Sequence, residues 1–129
     1  MTNFEILFIG GAVGALPFVL SLAFGSKVQE SFLLVALLAG AFWGFSALTA
    51  AHEGLLGFVP NHTVNLWGTQ VWYDLVICVL VALTFIVPRA RAMGMNIPLW
   101  VIACGLSASL ALLPMVARLF YLEQRAARE

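Results

Sequence analysis

The residues of this chain that could do acid–base chemistry are few. His52 and Glu53 are adjacent, and Asp74 stands at the start of a later apolar run. If these three side chains met in one cavity, a carboxylate or the imidazole could move a proton to or from a bound substrate. His52, Glu53 and His62 do not have the spacing of a known metal-binding motif, so no metal site is predicted.

The composition determines which elements must position these groups. Of the 129 residues, 63% are hydrophobic and 9% are charged, against about 45–50% and about 25% in average globular domains. A soluble domain of this size cannot hide so much apolar surface. The formal net charge of zero also lacks the basic surface that nucleic-acid binding needs. We therefore expect an integral membrane protein that contacts lipid and no nucleic acid.

Uncharged runs predict where the chain crosses the bilayer. A helix needs about 20 apolar residues to cross about 30 Å of hydrocarbon, and in lipid its backbone must be hydrogen-bonded internally. The predicted fold is all-α, a four-helix transmembrane bundle in a single domain over 1–129. Its loops are short, apart from one between helices 2 and 3 over roughly 52–70. The predicted spans are about 5–25, 31–51, 71–88 and 97–120.

An ion pair is one interpretation of two charges near the span ends. Antiparallel third and fourth spans would put Asp74 level with Arg118, and pairing would neutralise two costly charges. The alternative is that Asp74 caps its helix while Arg118 extends to the headgroups.

Small residues at four-residue spacing predict close helix packing, because helices in lipid associate through close backbone approach. Ordinary glycine usage in membrane helices is the alternative. The candidate packing residues are Gly10 and Gly14 in the first span, Gly40 and Gly44 in the second, and Ser107 in the fourth.

Aromatic residues near the span ends are typical of an interfacial belt, in which amphipathic rings lie at headgroup level. Trp67, Trp72 and Tyr73 would form it on one surface and Trp100 on the other, with core packing as the alternative. Trp43 lies in the middle of its span, so we expect it to face a neighbouring helix.

The basic residues do not decide the membrane orientation. Three would fall on each side: Lys27, Arg89 and Arg91 against Arg118, Arg125 and Arg128.

The carboxy-terminal half, from about Trp72 to Glu123, carries a recognisable pattern. It resembles a family of small bacterial integral membrane proteins known as a domain of unknown function. That family is distantly similar to the membrane protein family implicated in plant neoxanthin formation. Val87-Pro88 departs from the acidic residue that precedes the basic pair in the family. The matching residues are Asp74-Leu75, Phe85-Ile86-Val87, Arg89, Arg91, Gly94-Met95, Leu113-Pro114, Leu119, Tyr121 and Leu122.

Two functions are compatible with these features. The first is a non-catalytic accessory or scaffold subunit of a larger complex in the bacterial inner membrane, packed against other integral membrane subunits. Kinks at Pro17 and Pro114 could admit a lipid, carotenoid or other isoprenoid between its helices. The second is a membrane-embedded isomerase or cyclase that acts on an isoprenoid or carotenoid through Asp74, Glu53 or His52. A transporter is disfavoured, because no span has an unwound polar middle.

Overall fold

The computed structural model describes residues 2–25 and 30–129, and the regular structure of these residues is all helical. Three of the six helices in this part are long and apolar enough to cross a membrane, namely α1, α2 and α4. This confirms an all-α chain with membrane-spanning helices. The predicted count of four spanning helices is not confirmed, because the fourth predicted span divides at Ala108. The helices are α1 (Asn3–Phe24), α2 (Phe32–Glu53), α3 (Phe58–Thr63), α4 (Leu66–Ala92), α5 (Ile97–Ser107) and α6 (Ser109–Ala126).

The chain divides into two compact units, residues 1–30 and 31–129, and α1 belongs to the first. Its start is a capping box. The Thr2 hydroxyl accepts a hydrogen bond from the Glu5 amide at 3.2 Å, and the Glu5 carboxylate accepts one from the Thr2 amide at 2.7 Å. Such a box satisfies two amides at a helix start. Lys27 lies outside the described residues, and the single membrane domain over 1–129 stays a prediction.

In residues 31–129, polar side chains mark the helix starts and glycines mark two of the ends. Ser31, Asn65 and Asn96 each accept a hydrogen bond from an amide three residues later, which satisfies a first-turn donor. Gly54 and Gly94 have positive φ angles of 83° and 70° where α2 and α4 have ended.

The helices α5 and α6 form a hairpin. Ala108 between them has φ 47° and ψ −119°, a conformation that glycine adopts more readily than alanine. The guanidinium of Arg89 at the end of α4 lies 2.7 Å from the carboxylate of Glu123 near the end of α6. A continuous helix leaving the end of α4 would carry Glu123 about 39 Å away, at 1.5 Å per residue. The chain therefore turns back at Ala108, and α6 returns to the end from which α5 started.

The second long helix packs antiparallel to α6. The rings of Phe32 and Tyr121 meet edge to face with centroids 5.5 Å apart. The Trp43 indole N–H donates to the Leu110 carbonyl at 2.9 Å. Eleven residues separate the two contacts along each helix, so the two helices stay in register over about 16 Å. Both α2 and α4 contact α6, and within residues 31–129 they do not contact each other.

The core of residues 31–129 lies around α6. Ala111, Met115 and Leu119 recur every fourth residue on one face of α6, and the last two are completely buried. Beyond the start of α6, about 15 Å of α2 continues from Gly44 to Glu53. The hairpin therefore fills the space between α2 and α4 over only part of their length. The other core residues are Val79, Leu83 and Ala90 of α4, Met95, and Cys104 of α5.

The predicted long loop between the second and third spans contains the short helix α3. This helix packs against the start of α4. Phe58 stacks on Trp72 with ring centroids 6.1 Å apart. Gly68 allows the close approach, since a Cβ there would overlap the backbone carbonyl oxygen of Asn61. The helix α4 is also longer at both ends than the predicted 71–88, since Asn65 caps it and its last turn includes Arg89 and Arg91.

Candidate functional site: the arginine-rich end

The reversal at Ala108 gathers the arginines of the chain toward one end of residues 31–129. The helices α4 and α6 run parallel and finish at the same level, where Arg89 meets Glu123. The acidic Glu53 and Asp74 lie on the other halves of α2 and α4, so the unit is electrically polar along its length. We call the first end the arginine-rich end; it carries Arg89, Arg91, Arg118, Arg125 and Arg128.

One arginine joins two helices there. The Arg89 guanidinium donates to both carboxylate oxygens of Glu123, at 3.0 and 2.7 Å. The same guanidinium lies 5.6 Å from the centre of the Phe120 ring. The two side chains of the pair are 41% and 26% exposed. A bidentate arginine–carboxylate pair gives geometric specificity as well as energy, so this pair holds the ends of α4 and α6 level.

A small pocket opens beside this pair, between the start of α2 and the end of α6. Its volume is about 160 Å³. Two aromatic side chains, one amide side chain and two arginine side chains line it. The lining residues are Phe32, Tyr121, Gln124, Arg125 and Arg128.

A hydrogen bond in the middle of the helices ties α2 to α6. Within a helix, the Leu110 carbonyl would accept from the amide of residue 114, but that residue is Pro114 and has no N–H. The Trp43 indole supplies the missing donor at 2.9 Å. The expectation that Trp43 faces a neighbouring helix is confirmed.

The structure does not bring Asp74 and Arg118 together. Arg118 precedes Glu123 by five residues and so lies about 7.5 Å along α6 from the Arg89–Glu123 pair. Asp74 precedes Arg89 by fifteen residues and lies about 22 Å along α4 from the same pair. The predicted proximity required a continuous fourth helix antiparallel to α4. In the structure α6 runs parallel to α4 instead.

The candidate acid–base residues lie in the opposite part of the unit. His52 and Glu53 are exposed in the last turn of α2, and Asp74 is exposed in α4. Among residues 31–129, no hydrogen bond or ion pair joins any two of the three. No group of three or more His, Cys, Asp or Glu side chains in the described ranges could hold a metal ion. Their catalytic role stays a prediction.

The predicted packing glycines face open space. A Cβ added at Gly10, Gly14, Gly40 or Gly44 would meet no atom within 4 Å. Ser107 is half-buried, and its hydroxyl donates to the Ala103 carbonyl at 2.8 Å, within its own helix. Within residues 31–129, no close helix contact is made at Gly40 or Gly44, and the packing role of Gly10 and Gly14 stays a prediction.

The aromatic residues of the proposed belt divide between the two ends. Trp67, Trp72 and Tyr73 are exposed in the first turns of α4, far from the arginines. Trp72 also packs edge to face with His62, whose ring lies 5.8 Å away. Trp100 in α5 is half-buried against the core, close to the arginine-rich end. Their role at the headgroups stays a prediction.

Taken together, the fold and the distribution of charge define a class: a small helical membrane protein whose arginines gather at one end. Comparison with protein-family models, with curated proteins and with solved structures gives no match to this chain. The resemblance of residues 72–123 to a bacterial family thus stays a prediction.

Proposed function

We propose that this protein is an accessory subunit of a larger assembly in the bacterial inner membrane. It packs against another integral membrane protein through the halves of α2 and α4 that the α5–α6 hairpin leaves uncovered. The observation that carries the proposal is the length of this hairpin. It fills the space between α2 and α4 near the arginine-rich end, and about 15 Å of α2 continues beyond it.

Two glycines of α2 support a helix as the partner, on a face turned by roughly 100° from the face that contacts α6. Gly40 and Gly44 have no neighbouring atom where a side chain would begin. A glycine facing lipid costs about 1 kcal/mol of helix propensity relative to alanine and gives no contact in return. A partner helix that approaches the backbone closely at these positions would offset that cost.

The separation of α2 and α4 also suits a helix. The two are held apart by α6, and packed helices lie about 8–10 Å apart. A transmembrane helix of the partner could continue the position of α6 beyond Ala108, with the same width. A lipid, carotenoid or other isoprenoid is the alternative occupant.

The charge polarity supports an orientation. Short cytoplasmic segments of membrane proteins carry an excess of lysine and arginine. The last turn of α4 holds Arg91, and the last turn of α6 and the residues after it hold Arg125 and Arg128. The segment between α2 and α4 contains no lysine or arginine. We therefore propose that the arginine-rich end faces the cytoplasm.

The proposal is tested by photo-crosslinking in intact membranes followed by mass spectrometry. A photoreactive residue replaces Ala50, which lies beyond the hairpin on the face of α2 that carries Phe32 and Trp43. In a matched control it replaces Leu48, which is exposed at nearly the same depth on the opposite face of α2. We expect one membrane protein to be crosslinked at Ala50 and recovered in much lower yield at Leu48. Crosslinks to lipid or pigment alone at both positions would contradict the subunit assignment.

A further inference from the structure

We propose that the pocket at the arginine-rich end binds the phosphate of an anionic lipid headgroup. The pocket of about 160 Å³ lies between the first turn of α2 and the last turns of α6. This inference does not depend on a partner protein; it requires only that α2 spans the membrane.

The charge of the lining favours an anion. Arg125 and Arg128 both line the pocket, and no acidic residue does. The carboxylate of Glu123 is engaged by Arg89 through both oxygens. Arg125 contacts Glu129 at 3.3 Å, but these side chains are 66% and 71% exposed. Such an exposed pair contributes little, so a phosphate could displace Glu129 and accept hydrogen bonds from the planar guanidinium.

The start of α2 adds a second source of positive potential. A helix leaves its first amides without acceptors inside the helix, and its dipole is positive at this end. The Leu34 amide donates to Ser31, which leaves the amides of Phe32 and Leu33 for another acceptor. The C-terminal dipole of α6 is negative here, but Arg125 in its last turn offsets it.

The aromatic side chains of the pocket make a lipid, rather than a free ion, the expected source of the phosphate. The Phe32 and Tyr121 side chains line the pocket, and their rings contact each other edge to face. Leu33 and Leu37 continue along α2 with more than half of their surface exposed. A phosphate in the pocket would thus leave its acyl chains beside an apolar helix, the arrangement that basic pockets at membrane interfaces provide.

The test uses the full chain in nanodiscs of phosphatidylcholine containing a small fraction of phosphatidylglycerol. Lipid that stays bound after mild detergent extraction is measured by native mass spectrometry. The pocket variant is R125Q/R128Q. The matched control R91Q/R118Q removes the same charge from the same end without touching the pocket. Each cation near an anionic surface contributes about 1 kcal/mol, so the pocket variant should bind phosphatidylglycerol about thirtyfold more weakly.

The outcomes separate a site from diffuse attraction. The site is supported if wild type and R91Q/R118Q retain phosphatidylglycerol while R125Q/R128Q loses it. Equal losses in the two double variants would overturn it, because the attraction would then follow net charge alone. Inorganic phosphate is tested in a separate arm. If it displaces the lipid at millimolar concentration, the pocket is a site for free phosphate and the lipid assignment is wrong.

Discussion

Replacing Trp43 by phenylalanine removes one hydrogen bond from the centre of the α2–α6 contact and keeps most of the ring. The acceptor is the Leu110 carbonyl, whose helical donor is absent because residue 114 is proline. The substitution therefore leaves this carbonyl without its indole partner, far from either end of the helices. The variant P114A restores a backbone N–H at the helical position and gives the carbonyl a second donor.

The expected effect of W43F on the free energy of unfolding differs between the natural protein and the P114A variant. Interhelical hydrogen bonds in membranes contribute about 0.6–2 kcal/mol, and an acceptor left without a partner costs about 1–3 kcal/mol. We expect W43F to lower the free energy of unfolding by about 2 kcal/mol in the natural background. In the P114A background, the Leu110 carbonyl keeps a donor, so the same substitution should cost less than about 1 kcal/mol.

The measurement is a double-mutant cycle of Trp43 and Pro114, with reversible unfolding in mixed micelles as the assay. The control is W67F, since Trp67 is 76% exposed and should change stability by less than about 0.5 kcal/mol. If W43F costs the same in the natural and the P114A backgrounds, the indole does not act by satisfying that carbonyl and the argument is refuted.

Three further predictions test the hairpin and the α3 contact. Sidedness reporters placed in the 93–96 turn and after the C-terminus should report the same side of the membrane; opposite sides would mean a continuous fourth span. Ala108→Gly should stabilise the protein by about 0.5 kcal/mol in the unfolding assay, since relief of about 1–2 kcal/mol at φ 47° exceeds the entropy cost; a loss of stability would count against the reversal. Gly68→Ala should destabilise by about 1–3 kcal/mol, because its Cβ overlaps the Asn61 carbonyl, while Gly105→Ala, with open space around it, should not.

The long helices could be predicted from the sequence because lipid imposes a simple length requirement. The predicted spans 5–25 and 31–51 begin and end within a few residues of the limits of α1 and α2. The first and last residues of α4 were harder to predict from the sequence. Its first turn is set by the Asn65 cap, and its last includes two arginines. An uncharged run marks only the part of a helix that can lie in the hydrocarbon of the bilayer. The helix itself can extend further, into the region where capping residues and charged side chains are solvated.

The reversal at Ala108 could not be predicted in the same way. Alanine is the best helix former, and residues 97–120 contain no charge before Arg118. The break is stabilised by contacts with distant residues, the Arg89–Glu123 pair and the Trp43–Leu110 hydrogen bond. A signal was present, since a mid-span tryptophan needs an acceptor and Pro114 releases one four residues earlier. The sequence did not indicate which helix was the neighbour.

The orientation shows how one local error changed a global conclusion. The tie between three basic residues on each side depended on a continuous last span. Turning the chain at Ala108 moves Arg118, Arg125 and Arg128 to the side of Arg89. The composition indicates apolar helices, but it carries no information on the positive φ of Ala108 at which the chain turns.

The hairpin tip gives an independent reason to expect a covering partner. Non-helical backbone at membrane depth is tolerated only where protein buries it or where it lines a water-filled cavity. Part of the tip is satisfied locally, because the Ala108 amide donates to the Cys104 carbonyl at 2.7 Å and the Ala108 carbonyl accepts from Leu112 at 3.0 Å. Residues 107–110 are nevertheless only half-buried. A partner helix packed end-on against α6, between the parts of α2 and α4 that the hairpin leaves uncovered, would complete this cover. The space proposed for the partner is therefore also the place where the turn at residues 107–110 must be shielded from lipid.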